Sequence, residues 1–352
     1  MFKVEMLPAR EGDCFWISYG DPESPSHILV DGGRMATAPS IREKIQSLPE
    51  GRRHIELVVV THVDRDHIEG MLEVLEAGLW GATVGDLWFN GFHHLTPDLE
   101  RMGAIQGERL TAAIDSAGLP WNLAFGGGPV AVPFGAPATV PPLPGGMRIT
   151  LLSPTPDKLA TLEPVWIAEC GRAGLVPGEP PQPEPLPDGI ESFGRLDVER
   201  LAGTQFDADR AAANGSSIAL LLEYDERRLL LAADAHADVL IASLRALAGG
   251  GRLRVDAFKV PHHGSARNLP SELLDILECG RYLVSTNGSY FNHPEPAAIA
   301  RILRFGGQAP EIVFNYRSDE TARWDVEALR RRYACRLTYP EEGADGYRSV
   351  LL

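Results

Sequence analysis

Cysteine is scarce in this chain and shows no pattern. The 352 residues hold four, Cys14, Cys170, Cys279 and Cys335, with no C-x-x-C spacing. That excludes a thiolate metal cluster of the usual spacing and disfavours a disulfide framework; reduced thiols in a cytoplasmic protein are the expectation. Long hydrophobic runs are missing too. No apolar stretch approaches the roughly 20 residues that span a bilayer, and Met1 to Arg10 lacks the roughly 7–15-residue apolar core of a secretory signal. Basic residues are in deficit, 33 Lys and Arg against 48 Asp and Glu, for a net charge of −15. Such a surface repels a polyanion, which disfavours strong non-specific nucleic-acid binding. The one dense basic run, Arg330-Arg331-Arg332 with Arg336, reads as a solvated helix face or a phosphate patch. No G-x-S-x-G elbow is present, so Ser265, Ser285 and Asp256 do not read as a triad. Gly81 to Gly85 lacks the spacing of a dinucleotide loop.

What the chain does have is concentrated between Val59 and Gly70, V-V-T-H-V-D-R-D-H-I-E-G, where an apolar strand runs into two histidines and two aspartates. Four ionisable groups this close repel or stay over-solvated in an ordinary loop, whereas a divalent cation turns their crowding into binding energy. The plain alternative is a polar loop in which Asp-Arg-Asp caps a helix beginning near His67. Three other apolar strands also end in ligand-type residues: Asp31 after Ile28 to Val30, Asp234 after Leu229 to Ala233, and His262-His263 after Ala257 to Pro261. Four repeats of one pattern favour several loops converging on a metal site at a sheet edge.

Periodicity predicts strands at Phe2 to Met6, Cys14 to Tyr19, His27 to Val30, Ile55 to Val60, Val84 to Phe89 and Met147 to Leu152, with helices at Ile41 to Ser47 and His67 to Leu79. After Asn214 it predicts strands at Ile218 to Glu223, Arg228 to Ala233, Leu253 to Val260, Arg281 to Ser285, Ile312 to Phe314 and Arg336 to Tyr339. The helices expected there are Ala237 to Ala248, Ser271 to Leu277, Pro296 to Phe305 and Arg323 to Arg332. Two β/α halves of this kind imply two facing mixed sheets with helices outside, in one domain over 1–352. Residues 156–213 read as an insertion, and its Pro/Glu-rich stretch Pro177 to Asp188 suits a lid, a partner surface or a tolerated loop equally.

Five stretches carry a likeness to a known family: Glu11 to Cys14, Leu29 to Gly33, Thr61 to Gly70, Asn214 to Leu220 and Lys259 to Ser265, with Asn292-His293-Pro294 as a weaker sixth. Together they resemble the metallo-β-lactamase superfamily, and most specifically the hydrolase domain of the DNA-uptake competence family ComEC and its free-standing relatives. The resemblance implies a four-layer αββα sandwich with one or two ions at the sheet edge. It implies His62, Asp64, Asp66 and His67 as a first metal-binding run, Asp234 as the carboxylate between two metals and His263 as the last metal histidine. Asp64 stands where the wider superfamily usually has histidine, which argues against a β-lactamase. Asn214 stands where another histidine is common, so one metal position has a weaker ligand or lacks one; His93-His94 either supply it or line the pocket or surface. Asp31 and Asp13 suit the orienting of histidine N–H groups, although Asp31 also fits a turn before Gly32-Gly33.

An oxygen-rich set of this kind accepts Mn²⁺ about as readily as Zn²⁺, and a pair of ions is expected. His262 and His293 are read either as groups that contact substrate or protonate a leaving group, or as packed structural histidines. The resulting expectation is a metal-dependent hydrolase acting through water activated by the ions, with Asp66, His262 and His293 as catalytic candidates. The resemblance points to phosphodiesterase or nuclease chemistry on a small-molecule or nucleic-acid phosphodiester. Cleavage of a small ester, lactone or thioester is the enzymatic rival, and electrostatics favours it. A degenerate metal-binding scaffold that meets a protein partner through the insertion is the third reading.

Overall fold

A computed structural model of the chain describes residues 1–95, 105–172 and 196–352. The stretch Pro177 to Asp188 lies outside the described residues. In chain order the strands are β1 Phe2–Met6, β2 Phe15–Asp21, β3 Ser24–Val30, β4 His54–Val59, β5 Thr83–Trp88, β6 Ala138–Thr139, β7 Arg148–Ser153, β8 Ala219–Tyr224, β9 Arg227–Leu231, β10 Leu253–Val255, β11 Ala257–Lys259, β12 Leu277–Cys279, β13 Arg281–Val284, β14 Glu311–Phe314, β15 Arg336–Thr338 and β16 Arg348–Leu351. One sheet has the order β16-β1-β2-β3-β4-β5 and the other β15-β14-β13-β11-β9-β8-β7-β6, with β10 and β12 forming a short parallel pair apart. Both large sheets are mixed: β3, β4 and β5 run parallel in the first, and β9, β11, β13, β14 and β15 in the second.

Alternation along the strands decides the layering. Ile28 and Val30 of β3, Leu220 and Leu222 of β8, and Leu229 and Leu231 of β9 enter one apolar core between the sheets. Their neighbours Leu29, Leu221 and Leu230 point the other way, into two outer cores. Helices cover those outer faces: Ala38–Ser47, Arg65–Glu76 and Ile105–Ala117 on the first sheet, and Ala237–Ala248, Ser271–Ile276 and Pro296–Phe305 on the second. Three cores separate four layers, which makes the chain a four-layer αββα sandwich. The described flanks of the 156–213 segment are packed rather than loose. Leu159, Leu162 and Trp166 of the helix Pro156–Arg172 join the first outer core, and Val198 and Ala202 join the second.

Several elements differ from expectation. The single strand predicted over Leu253 to Val260 is two, because Asp256 breaks the ladder. Its N–H bonds to the Arg228 carbonyl and its carboxylate accepts from Arg227 and from the Arg228 N–H. The helix predicted over Arg323 to Arg332 is replaced by two short helices, Asp319–Ala322 and Glu327–Tyr333. Between them Trp324 turns inward to the second outer core. The last strand is β16, which pairs antiparallel with β1 and so joins the chain's two ends in one sheet.

The parallel strands β3, β4, β9, β11 and β13 send their carboxyl ends to the same edge, the usual place for a ligand in a sheet of this kind. Close backbone approach holds that edge together. A β-carbon on Gly12 would stand 1.8 Å from the Asp66 carbonyl oxygen, and one on Gly32 would stand 2.1 Å from the Met71 nitrogen. These contacts explain the glycines in Glu11-Gly12-Asp13 and Asp31-Gly32-Gly33. Gly12→Ala is expected to push the start of helix Arg65–Glu76 away from the β1–β2 loop. The expected cost is at least about 1–3 kcal/mol of unfolding free energy in a urea titration; wild-type stability would contradict that reading.

Candidate metal centre

Asp31 follows β3 in the left-handed backbone region, at φ 59°. Its carboxylate accepts from the Thr61 N–H at 2.8 Å, the Thr61 hydroxyl at 2.9 Å and His67 Nδ1 at 2.8 Å. Both its oxygens are thereby engaged, so Asp31 orients His67 and does not itself face the centre. Because the Thr61 hydroxyl gives its proton to Asp31, its lone pair is left to accept His62 Nδ1–H at 3.0 Å. His263 Nδ1 donates to the Ser285 carbonyl at 3.0 Å. His262 Nδ1 lies 3.0 Å from Asn268 Oδ1, and Asn268 spends its amide hydrogens on Asp209 Oδ2 and the Asp234 carbonyl, so here too Nδ1 is the donor.

All four imidazoles therefore carry hydrogen on Nδ1 and turn Nε2 inward, the arrangement that outer hydrogen bonds impose on metal-ligating histidines. The four Nε2 atoms surround one carboxylate oxygen. Asp234 Oδ2 is 3.9 Å from His62, 3.5 Å from His67, 3.6 Å from His262 and 3.6 Å from His263. Asp66 Oδ2 is 3.4 Å from His263 Nε2 and 3.9 Å from His67 Nε2, and Asp64 Oδ2 is 3.5 Å from His62 Nε2. The turn that aims both His262 and His263 inward has left-handed backbone at both residues, φ 46° and 51°.

The donor set fits divalent ions. His67 Nε2 and His263 Nε2 are 3.2 Å apart, and whenever both rings are neutral their Nδ1–H hydrogens leave two lone pairs facing each other. Lone pairs this close repel unless a cation sits on them, and ligands about 2.0–2.2 Å from a tetrahedral ion stand about 3.3–3.6 Å from each other. His62 Nε2 is buried and has no hydrogen-bond partner. Electrostatics agrees. Burial opposes charge on His67 and His263, yet Asp234, aided by Asp31 at the first and Asp13 at the second, raises both well above the ordinary histidine value. Burial likewise opposes ionisation of Asp234, and His263, His262 and His67 hold it far below the carboxylate range. Protons on the rings here stand in for the positive charge that ions supply.

Beneath Asp234 lies a buried lysine. Lys259 is 1% exposed, forms an ion pair with Asp13, and stands 3.9 Å from Asp234 Oδ1. Burial raises the Asp13 pKa but Lys259 and His263 more than reverse it, to about 2. Ligand atoms of Asp13, His67, Asp234 and His263 lie within 4.8 Å of one another. Asp13 is committed to Lys259 and lies 3.4 Å from His263 Nδ1, so Asp66 is the carboxylate on the Nε2 side.

Other predicted residues fall into place around this core. His293 is 8% exposed, its ring 5.3 Å from that of His262, and burial, with His262 and His263 nearby, pushes its pKa down to about 3. Asn214 is buried and donates to Asp209 Oδ2 at 2.7 Å. His93 and His94 do not supply a ligand. They meet Trp121 edge to face, and His94 accepts from the Gly91 N–H, because the turn after β5 closes on itself. Ser285 gives its hydroxyl to the Gly12 carbonyl and Ser265 gives its own to Glu295, so neither belongs to a triad.

No family model matches the chain, and no curated protein matches it. Among solved structures it is similar to CmlA, a diiron β-hydroxylase from Streptomyces venezuelae, at 14% identity and a TM-score of 0.43 over 100% of this chain and 54% of that one. It is similar to Zn²⁺-bound PqqB from Methylobacterium extorquens at 15% identity and a TM-score of 0.42, over 100% of both chains. A metallo-β-lactamase with a HARLDQ motif from Cronobacter sakazakii follows at 14% identity and a TM-score of 0.29, over 70% of each chain. The chain thus spans about half the length of CmlA. The fold assignment rests on the sheet order and the three cores described above.

Asp31→Asn is expected to scramble the His67 hydrogen bond and weaken metal affinity about 10–100-fold. Calorimetric titration with Zn²⁺ measures it, and an unchanged affinity would remove Asp31 from the orienting role.

Proposed function

We propose that the chain is a metal-dependent hydrolase of the metallo-β-lactamase type and that its substrate is a phosphodiester. The observation that carries this is the ring of four Nε2 atoms around Asp234 Oδ2, flanked by Asp66 and Asp64. Divalent ions bound there would polarise a phosphoryl oxygen and lower the pKa of water towards about 7. The chain's own residues supply the rest. Asp31, Thr61, Asn268 and the Ser285 carbonyl fix the ring orientations in advance, so little reorganisation accompanies reaction. Asp64, whose side chain is 45% exposed, marks the open side from which substrate arrives. His293, a neutral imidazole, offers an N–H to a substrate or leaving-group oxygen.

The rim narrows the substrate. Tyr290 and Phe291, each 51% exposed, precede His293 on one loop, and Phe291 stacks on its ring. Aromatic faces beside the site suit a nucleobase or another aryl group. Net charge −15 opposes duplex binding through counterion release, so a small phosphodiester or a short single strand is preferred to long DNA. The same charge keeps one rival open, a hydrolase of neutral esters or lactones.

Hydrolysis of bis-p-nitrophenyl phosphate and of p-nitrophenyl acetate, with Mn²⁺ or Zn²⁺ and then with chelator, separates the two. Chelator-sensitive phosphodiester turnover is expected. Metal-dependent cleavage of the acetate alone would select the ester reading.

A further inference from the structure

We infer that His262 is a ligand of a second ion, together with His62, Asp64 and Asp234, and thereby completes the metal position at which Asn214 replaces a histidine. The inference rests on the proposed metal-dependent site and assigns His262 away from proton transfer. Four observations lead to it.

The first is hydrogen direction. Asn268 holds His262 through its carbonyl oxygen at 3.0 Å while its amide nitrogen is bonded to Asp209 and to the Asp234 carbonyl, so the amide cannot be reversed without breaking both bonds. His262 Nδ1 therefore carries hydrogen and Nε2 presents a lone pair. The second is aim. That lone pair lies 3.6 Å from Asp234 Oδ2, too long for a hydrogen bond and the right separation for two atoms sharing an ion. The third is an orphan. His62 Nε2, 3.9 Å from the same oxygen and 3.5 Å from Asp64 Oδ2, is buried without any hydrogen-bond partner, so a second donor waits on the side away from Asp66. The fourth is the state of Asn214. Its amide nitrogen is committed to Asp209 at 2.7 Å, and Asp209 is also the residue that anchors Asn268. Through its nitrogen, which also lies 3.4 Å from His262 Nδ1, Asn214 belongs to the scaffold behind His262, while its Oδ1 is buried without a hydrogen-bond partner.

The division of donors is then symmetrical. Asp66, His67 and His263 serve one ion, His62, Asp64 and His262 the other, and Asp234 lies between them. The adjacent histidines of the Pro261-His262-His263-Gly264 turn reach different ions because left-handed backbone at both residues splays their rings, 77° apart in plane. With His262 bound, His293 is the remaining imidazole near the substrate side.

The test is metal content and binding, with turnover set aside. Wild-type protein, His262→Ala, His262→Gln and Asn214→Ala are loaded with Zn²⁺ and with Mn²⁺, and ions per chain, stepwise affinities and the Mn²⁺ electron paramagnetic resonance spectrum are recorded. Wild type is expected to bind two ions with a spin-coupled Mn²⁺ signal. Both His262 variants are expected to keep the first ion, which reports intact folding, to weaken the second by more than about 10-fold and to show an uncoupled spectrum. Asn214→Ala is expected to retain two. Two ions of unchanged affinity in both His262 variants, or loss of the second ion in Asn214→Ala alone, would overturn the assignment. A wild-type protein holding one ion would overturn it and leave the hydrolase reading standing, whereas one holding none would sink both.

Discussion

Asp234→Asn is expected to empty the centre. The substitution keeps size and shape, so folding should survive, but it removes the one negative charge that faces all four Nε2 atoms at 3.5–3.9 Å. An amide oxygen is a weaker ligand, and the amide nitrogen cannot bind an ion at all. Ions per chain should fall below one. Metal-dependent turnover should drop about 10³-fold or more, because several kcal/mol of charge stabilisation disappear and each ~1.4 kcal/mol is tenfold. Full metal content with more than a tenth of the rate would show that Asp234 is peripheral.

Lys259→Met is expected to be the most damaging change to stability at this edge. The ammonium is buried against Asp13 and near Asp234, and the methionine side chain can fill its volume but not its charge. An uncompensated buried carboxylate costs about 3–5 kcal/mol. Urea unfolding of the metal-free protein measures it. Adding Asp13→Asn to Lys259→Met should recover a large part, since the stranded charge is then gone. A single variant as stable as wild type would mean that water or another group satisfies Asp13, and a double variant no better than the single would mean that Lys259 acts through packing.

The sequence was most legible where local pattern and final environment agree. Strands β3, β4, β8 and β9 alternate between two apolar cores, so nearly every position is hydrophobic and each run ends abruptly where the chain leaves the sheet. Those ends converge in the structure, which is why His62, Asp64, Asp66, His67, Asp234 and His262-His263 stand out by residue type at strand ends, whereas their separate ligand roles are what the resemblance implies. Elements fixed by distant partners were hidden. Nothing local marks Leu277–Cys279 as the mate of Leu253–Val255, or Arg348–Leu351 as the mate of β1.

The same distinction runs through the centre. Nothing local gives Lys259 a partner until Asp13, 246 positions away, is brought to it. Asp209 and Asn268 carry no motif, yet they decide which nitrogen of His262 faces Asp234. For His262 the sequence suggests substrate contact, proton transfer or structural packing. Two left-handed residues in succession, which the sequence does not announce, let both rings face the same carboxylate.

Anomalous diffraction at the zinc edge, from crystals grown with Zn²⁺, tests the central claim most directly. The expected result is a peak about 2.0–2.2 Å from His67 Nε2 and His263 Nε2 and within reach of Asp66 and Asp234. Fully ordered side chains in this arrangement with no anomalous density among them, or zinc found only at surface histidines such as His54 and His93, would contradict it.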